Sequence, residues 1–209
     1  HTNEATFDIQ YGNVKRDTHD NTSWDFAKFE VCHHKWMDVS EDGYGVSMLN
    51  DCKYGHSALD GVMTLTLIKS GIEPNPTADQ EEHTFTYALY PHAEGWRQAN
   101  TVQEAMKLNQ PLLSEDGGHA GCQNSFVWVD KSNVIIETVK MAEDDDGIIV
   151  RLYESENAKT KAHIFFGEKI SSVESCNCLE EIKQTIETDG EGFEITVKPY
   201  EIQTYRVRF

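Results

Sequence analysis

The chain has 209 residues, a formal charge of −18 and 38% hydrophobic residues, enough apolar content for a core in one large or two small domains and too much for a disordered chain. The acidic excess, with no run rich in Lys or Arg, argues against nucleic acid and anionic membrane surfaces as partners. No apolar run approaches the roughly 20 residues of a membrane helix.

The five cysteines, Cys32, Cys52, Cys122, Cys176 and Cys178, are odd in number and follow no regular framework. Reduced thiols fit that usage better than disulfides, so a cytoplasmic protein is expected, and the chain opens without a signal-peptide pattern. Cys176-x-Cys178 is too closely spaced for a zinc knuckle and lacks a second pair. Asn21-Thr22-Ser23 matches a glycosylation sequon that a cytoplasmic protein does not use.

In chain order, residues 5–11 alternate as a strand that starts without a turn or cap, which predicts a piece of a longer protein. A polar loop covers residues 17–23. In the segment 24–36, Trp24, Phe26 and Val31 are placed to face a core, and Phe29 marks a bulge or bend. The stretch 38–61 is the most reactive part of the sequence. A Gly-punctuated turn at Asp42-Gly43 leads into a strand through Val46 and Met48, and Asp51, Lys53, Tyr54 and His56 then crowd before a second turn at Asp60-Gly61. A plain hairpin does not need so many reactive groups at one tip, and loops at strand ends are where function concentrates.

Residues 62–68 read as a strand and residues 71–78, with Pro74 and Pro76, as a loop. Residues 83–90 alternate with Phe85, Tyr87 and Leu89 on one half-buried face, and Pro91 is expected to end the strand. Residues 101–108 form the one expected helix, with Thr101 and Glu104 at capping-box spacing and Val102, Ala105 and Met106 on one face. Beyond a loop at Gly117-Gly118, strands are expected over 125–129, 134–139, 147–153, 162–166, 193–197 and 204–209. That density of short strands predicts an antiparallel sandwich, with a domain boundary between residues 131 and 132.

Motifs for chemistry are sparse. His33 and His34 are neighbours on an extended segment and point to opposite faces, so one is expected packed and the other exposed. His19, Asp20 and Asp25 form a metal or acid group only if loops bring them together. Asp38, Glu41, Asp42 and Asp51 supply carboxylates, yet a glycosidase needs two of them about 5 to 9 Å apart. Tyr44, Tyr54, Trp36 and Trp96 are suited either to stacking on a sugar ring or to filling a core. Glu143-Asp144-Asp145-Asp146-Gly147 lacks calcium-loop spacing and reads as a solvated hairpin tip. No phosphate loop, G-x-S-x-G elbow or H-E-x-x-H occurs. The residues alone lead to an all-β module with a polar, aromatic loop cluster.

Longer strings carry more. Residues 7–16 (Phe-Asp-Ile-Gln-Tyr-Gly-Asn-Val-Lys-Arg), 21–25 (Asn-Thr-Ser-Trp-Asp), 29–36 (Phe-Glu-Val-Cys-His-His-Lys-Trp), 43–55, 82–92 and 142–154 resemble the C-terminal region of glycoside hydrolase family 38 α-mannosidases, of the cytosolic or bacterial type. The resemblance implies an all-β fold: 1–131 as part of a galactose-mutarotase-like super-sandwich and 132–209 as a small terminal β-sandwich. It implies an enzyme that removes α-linked mannose from oligosaccharides with retention, using two Asp residues and a divalent ion, usually zinc. Those groups lie on an N-terminal barrel, and no position here matches them, so the chain alone is expected to be inactive. Its implied partners are the catalytic barrel and helical domains of the same longer chain and a mannose-containing oligosaccharide. Asp51, Lys53, Tyr54 and His56 are then candidates for the rim of the sugar pocket. An exposed apolar patch, and a homo-oligomer formed through it, are expected where the missing parts dock. An independent carbohydrate-binding or scaffold module is the alternative, since a sandwich fold does not fix function.

Overall fold

The computed structural model describes residues 2–114 and 125–209. The loop expected at Gly117-Gly118, and Cys122, lie outside the described residues. The chain is all-β, with two helices among the described residues, and divides into two compact units, His1–Leu113 and Ser114–Phe209.

In the first unit the alternating opening forms β1 (Glu4–Ile9), which turns back into β2 (Gly12–Asp17). A single-turn helix, α1 (Ser23–Phe26), and the two-residue β3 (Val31–Cys32) follow. Next come the hairpin of β4 (Trp36–Glu41) with β5 (Tyr44–Asn50) and that of β6 (Gly55–Leu59) with β7 (Val62–Thr66). The second hairpin turns on Asp60 and Gly61, at φ 50° and 79°, and this pair of positive φ values is what an Asp-Gly turn accommodates. β8 (Tyr87–Ala93) and α2 (Thr101–Asn109) complete the unit.

The strands make a five-stranded sheet, β2-β1-β4-β5-β8, and a three-stranded sheet, β3-β6-β7. Ala5, Phe7, Met37 and Met48 from the first pack against Val31, Ala58, Met63 and Leu65 from the second. The period of two sends the intervening residues to the other face, where α2 covers them with buried Thr101, Val102 and Ala105. Trp36 and Trp96 meet there, ring centroids 5.0 Å apart, so both are core residues. Beside them Asp38 accepts from Ser47 Oγ at 2.7 Å and lies 2.8 Å from His92 Nε2, while Ser47 Oγ also meets Thr101 Oγ1 at 3.0 Å. This buried polar network joins β4, β5, β8 and α2 with each member paired.

Several expectations need correction. Trp24 and Phe26 are 80% and 69% exposed, because the capping box falls at Thr22 and Asp25 and winds the chain into α1, while the chain bends at Phe29 as expected. Thr22 accepts from the Asp25 amide, and the Asp25 carboxylate accepts from the Thr22 amide. The expected capping box at Thr101 is absent: Asn100 is the N-cap in the left-handed region, Thr101 lies inside the helix, and Glu104 pairs with Lys107. Pro91 does not end its strand. β8 is the edge of its sheet, so the missing N–H costs no ladder bond, and Pro91 sits opposite Val46. Leu89 pairs across from Met48 on the core face, yet Leu89 and Tyr87 stay exposed because the three-stranded sheet does not reach them.

The second unit contains β9 (Val127–Val129), β10 (Val134–Met141), β11 (Ile148–Glu154), β12 (Thr160–Phe166), β13 (Ser172–Cys176), β14 (Ile182–Ile186), β15 (Gly192–Val197) and β16 (Ile202–Arg208). They form a five-stranded sheet, β10-β11-β16-β13-β14, and a three-stranded sheet, β15-β12-β9. Between them lie Val150, Leu152, Ile164, Phe166, Val173, Phe193, Ile195, Val197 and Val207, the inward set of each strand's alternation. β9 pairs with β12, so residues 127–129, on the first side of the expected 131/132 boundary, build this unit. The acidic tip at 143–147 is held rather than free. Arg206 donates to Asp144 at 2.7 Å, and Arg208 donates through two nitrogens to Asp146.

Candidate functional site

β5 ends at Asn50, and this buried amide builds the turn that follows. Its Nδ2 donates to the His34 carbonyl at 2.6 Å, and its Oδ1 accepts from the Lys53 amide at 2.8 Å. From α2, Asn109 Nδ2 donates to the Asn50 carbonyl at 3.0 Å. Asn50 thus ties the start of the 51–54 tip to the Lys35 side of β4, to α2 and to the Lys53 amide.

Asp51 is the first residue of the tip. Its amide donates to the Thr86 carbonyl at 3.1 Å, and its Oδ2 accepts from the Thr86 amide at 2.9 Å. Hydrogen bonding from the Cys52 thiol, and then from Thr86, holds its carboxyl below the usual range. The clip brings the chain ahead of β8 alongside, so that Lys53 Nζ lies 4.8 Å from the centre of the Phe85 ring. Tyr54 is 48% exposed and stands edge-on to His34, with centroids 5.2 Å apart. His34 Nε2 lies 3.2 Å from Gln10 Nε2. Lys53, Tyr54, His34, Gln10 and Phe85 thus cluster around the tip, presenting an ammonium, a phenol, an imidazole, an amide and an aromatic face.

His56 does not join them. Strand alternation from Gly55 turns it inward opposite Val31, where it is fully buried with its ring centroid 3.2 Å from that of His33. Burial pushes His56 down to about 4, and burial together with the His56 ring pushes His33 down to about 2, so both are neutral at physiological pH. His33 is the packed member of its pair and His34 the more accessible one, as the alternation requires. Asp8 is buried behind the tip. It accepts from the Lys35 amide at 2.8 Å, and burial pushes its carboxyl up to about 6.

Asp51, Lys53 and Tyr54, singled out by sequence, are therefore together in space, while His56 faces the core. Gln10, Phe85 and Asp8 were not singled out. Gln10 carried the weak signal of preceding a turn, and Phe85 was assigned to a half-buried strand face without a role at the tip. His19 and Asp25 do meet, at 3.7 Å, but Asp25 is engaged by Thr22 and Lys28. Tyr44 is exposed on the far hairpin turn of β5.

This arrangement can donate hydrogen bonds to hydroxyls and stack on an apolar ring face. It does not supply an acid and a nucleophile, because Asp51 is committed to Thr86 and Asp8 is shut away from solvent. Among the described residues no group of three or more His, Cys, Asp or Glu side chains is placed to hold a metal ion. Among the same residues no helix is long and apolar enough to cross a membrane.

Residues 1–77 match the model of the glycosyl hydrolases family 38 C-terminal domain, and residues 133–205 match that of the family 38 C-terminal β-sandwich domain. The chain is 38% identical to alpha-mannosidase G of Dictyostelium discoideum, over 97% of this chain and 19% of that protein. It is 39% identical to human alpha-mannosidase 2C1, over 86% of this chain and 18% of that protein. It is 36% identical to the alpha-mannosidase of Saccharomyces cerevisiae, over 98% of this chain and 21% of that protein. It thus spans about a fifth of the length of these relatives. The crystal structure of an alpha-mannosidase from Enterococcus faecalis shares the fold, with a TM-score of 0.77 at 21% identity, over 98% of this chain and 24% of the other.

Proposed function

Because this chain belongs to the C-terminal region of glycosyl hydrolase family 38, we propose that it is the non-catalytic β portion of an α-mannosidase and that its 51–54 tip completes the rim of the sugar pocket. In this reading, hydrolysis of α-mannosidic bonds in oligosaccharides, with retention, is performed by carboxylates and a zinc ion on an N-terminal barrel of the longer chain, with helical domains beside it.

The observation that carries the reading is the tip's construction: Asn50, Asp51 and Asn109 fix it, and Lys53, over the Phe85 ring, and the half-exposed Tyr54, edge-on to His34, bring an ammonium and a phenol together on it. Lys53 would donate to sugar hydroxyls, and the Tyr54 phenol would bond to or stack on the ring. The uncovered Tyr87 and Leu89 beside the tip, on a face whose neighbours are core, support contact with the catalytic part of the longer chain. Free thiols at Cys32, Cys52 and Cys178 support a cytoplasmic setting.

The test is kinetic. In the longer enzyme, Lys53→Ala and Tyr54→Phe should each lower kcat/KM on a simple aryl α-mannoside by about tenfold or more, roughly 1.4 kcal/mol, with unchanged thermal unfolding. Unchanged kinetics in both variants would make the tip structural.

A further inference from the structure

Far along the sequence from that tip, the outer face of the β15-β12-β9 sheet carries a strip of rings that the core does not use. Alternation along β12 sends Ala162, Ile164 and Phe166 inward and leaves Lys161, His163 and Phe165 outside. Register pairs Phe165 with Trp128 on β9. Their rings lie 5.4 Å apart and within 10° of parallel, and Trp128 is 42% exposed. On the other side the His163 ring lies 4.3 Å from that of Phe165.

The strip continues because Gly192, the partner of Phe165 on β15, has no side chain: a Cβ there would stand 2.5 Å from His163 Nε2. Trp128 on β9 and Phe165 and His163 on β12 therefore form one run of rings that reaches over Gly192 of β15. A depression lined by Trp128, Phe165, Glu168, Lys169 and Glu191 adjoins one end, and a larger one holding Thr188, Asp189 and Glu194 adjoins the other. His163 Nε2 is buried without a hydrogen-bond partner, 3.8 Å from Asp189 Oδ2.

We infer that this strip is a carbohydrate-binding platform, separate from the 51–54 tip, which holds a neutral oligosaccharide chain. Trp128 stacks on Phe165, and the half-exposed Trp128 ring can meet the C–H face of a pyranose, while carboxylates at both ends, with the Lys169 ammonium at one, suit the hydroxyls around a ring. The acidic rim, on a chain of net charge −18, disfavours phosphate-bearing ligands. The choice of α-linked mannosyl chains among neutral sugars rests on the proposed function. The strip would hold an outer part of the substrate and take no part in bond cleavage.

The experiment is native gel electrophoresis of the 209-residue chain through gels containing α-mannan, xylan or mixed-linkage β-glucan. Retardation by α-mannan is expected, weakened about tenfold or more in Trp128→Ala and restored in Trp128→Tyr, which keeps a ring. Far-ultraviolet circular dichroism checks that both variants fold. Retardation that survives Trp128→Ala in a folded protein, or no retardation by any polysaccharide, overturns the platform. Trp128-dependent retardation by xylan or β-glucan without α-mannan overturns the mannosyl assignment, whereas the Lys53 and Tyr54 kinetics test the pocket rim independently.

Discussion

His33 and His56 face each other with neutral rings, and Asp8 lies buried on β1 of the larger sheet, and these residues pull the acid response of the first unit in opposite directions. Each histidine has a folded pKa below the ordinary 6.5, at about 2 and about 4, so below pH 6.5 the unfolded chain binds two protons that the folded one refuses. Their contribution is intact above pH 6.5 and declines as pH falls toward those values. Asp8 acts oppositely. Its folded pKa is about 6 against an ordinary 3.8, so between pH 6 and 4 the folded chain holds a proton that the unfolded one lacks. Two protons against one leave a net slope near one proton across that window. Asp8→Asn removes the opposing group and should steepen the loss of stability from pH 6 to 4 by about 1.4 kcal/mol per pH unit. Denaturant unfolding at several pH values, followed by tryptophan fluorescence, measures the slopes, and parallel profiles for the two proteins would contradict this account. The sequence showed that one of His33 and His34 must be packed. It did not show that the packed one meets His56, since that contact depends on pairing β3 with β6.

At the scale of elements, the end of β11 shows how one side chain organises several loops. Glu154 is fully buried, and its carboxylate accepts from Asn133 Nδ2 at 2.9 Å and from the amides of Glu156, Ala158 and Tyr200 at 2.8, 3.1 and 3.1 Å. Glu154→Ala would leave three backbone donors without their acceptor, each costing about 1–3 kcal/mol if it stays dry. A loss of about 3 kcal/mol or more is expected in denaturant unfolding, with partial recovery in Glu154→Gln. A loss under about 1 kcal/mol would show that water replaces the carboxylate. Strands with clean alternation, such as β1, β12 and β15, were legible because one face is core. β13 and β14 were not: Ser172-Val173-Glu174-Ser175-Cys176 has a single strongly apolar residue, and β14 is a mostly exposed edge. The segment 24–36 misled because its aromatic spacing mimics a strand while the Thr22–Asp25 cap turns it into a helix. Phe85, Tyr87 and Leu89 were assigned to one face, but no residue-level signal told whether anything lies over it.

For the whole molecule, the all-β class and the family were readable because long strings of residues around the tip and along β1, β5 and β8 resemble the family. The sugar-pocket reading of that tip draws on only part of what the structure holds. The arrangement of Gln10, His34, Lys53, Tyr54 and Phe85 arises from contacts between segments up to about 75 positions apart, which spacing does not encode. Both units leave rings or aliphatic side chains uncovered, Tyr87 and Leu89 in the first and Trp128 in the second. The proposals above give the first surface to contact with the longer chain and the second to a sugar, in a chain that spans about a fifth of its relatives. The most direct measurement is turnover of an aryl α-mannoside by the purified 209-residue chain, with zinc added and with chelator. No hydrolysis above the blank is expected in either condition. Hydrolysis that appears with zinc and disappears with chelator would contradict the non-catalytic reading, because the catalytic groups would then have to lie on this chain.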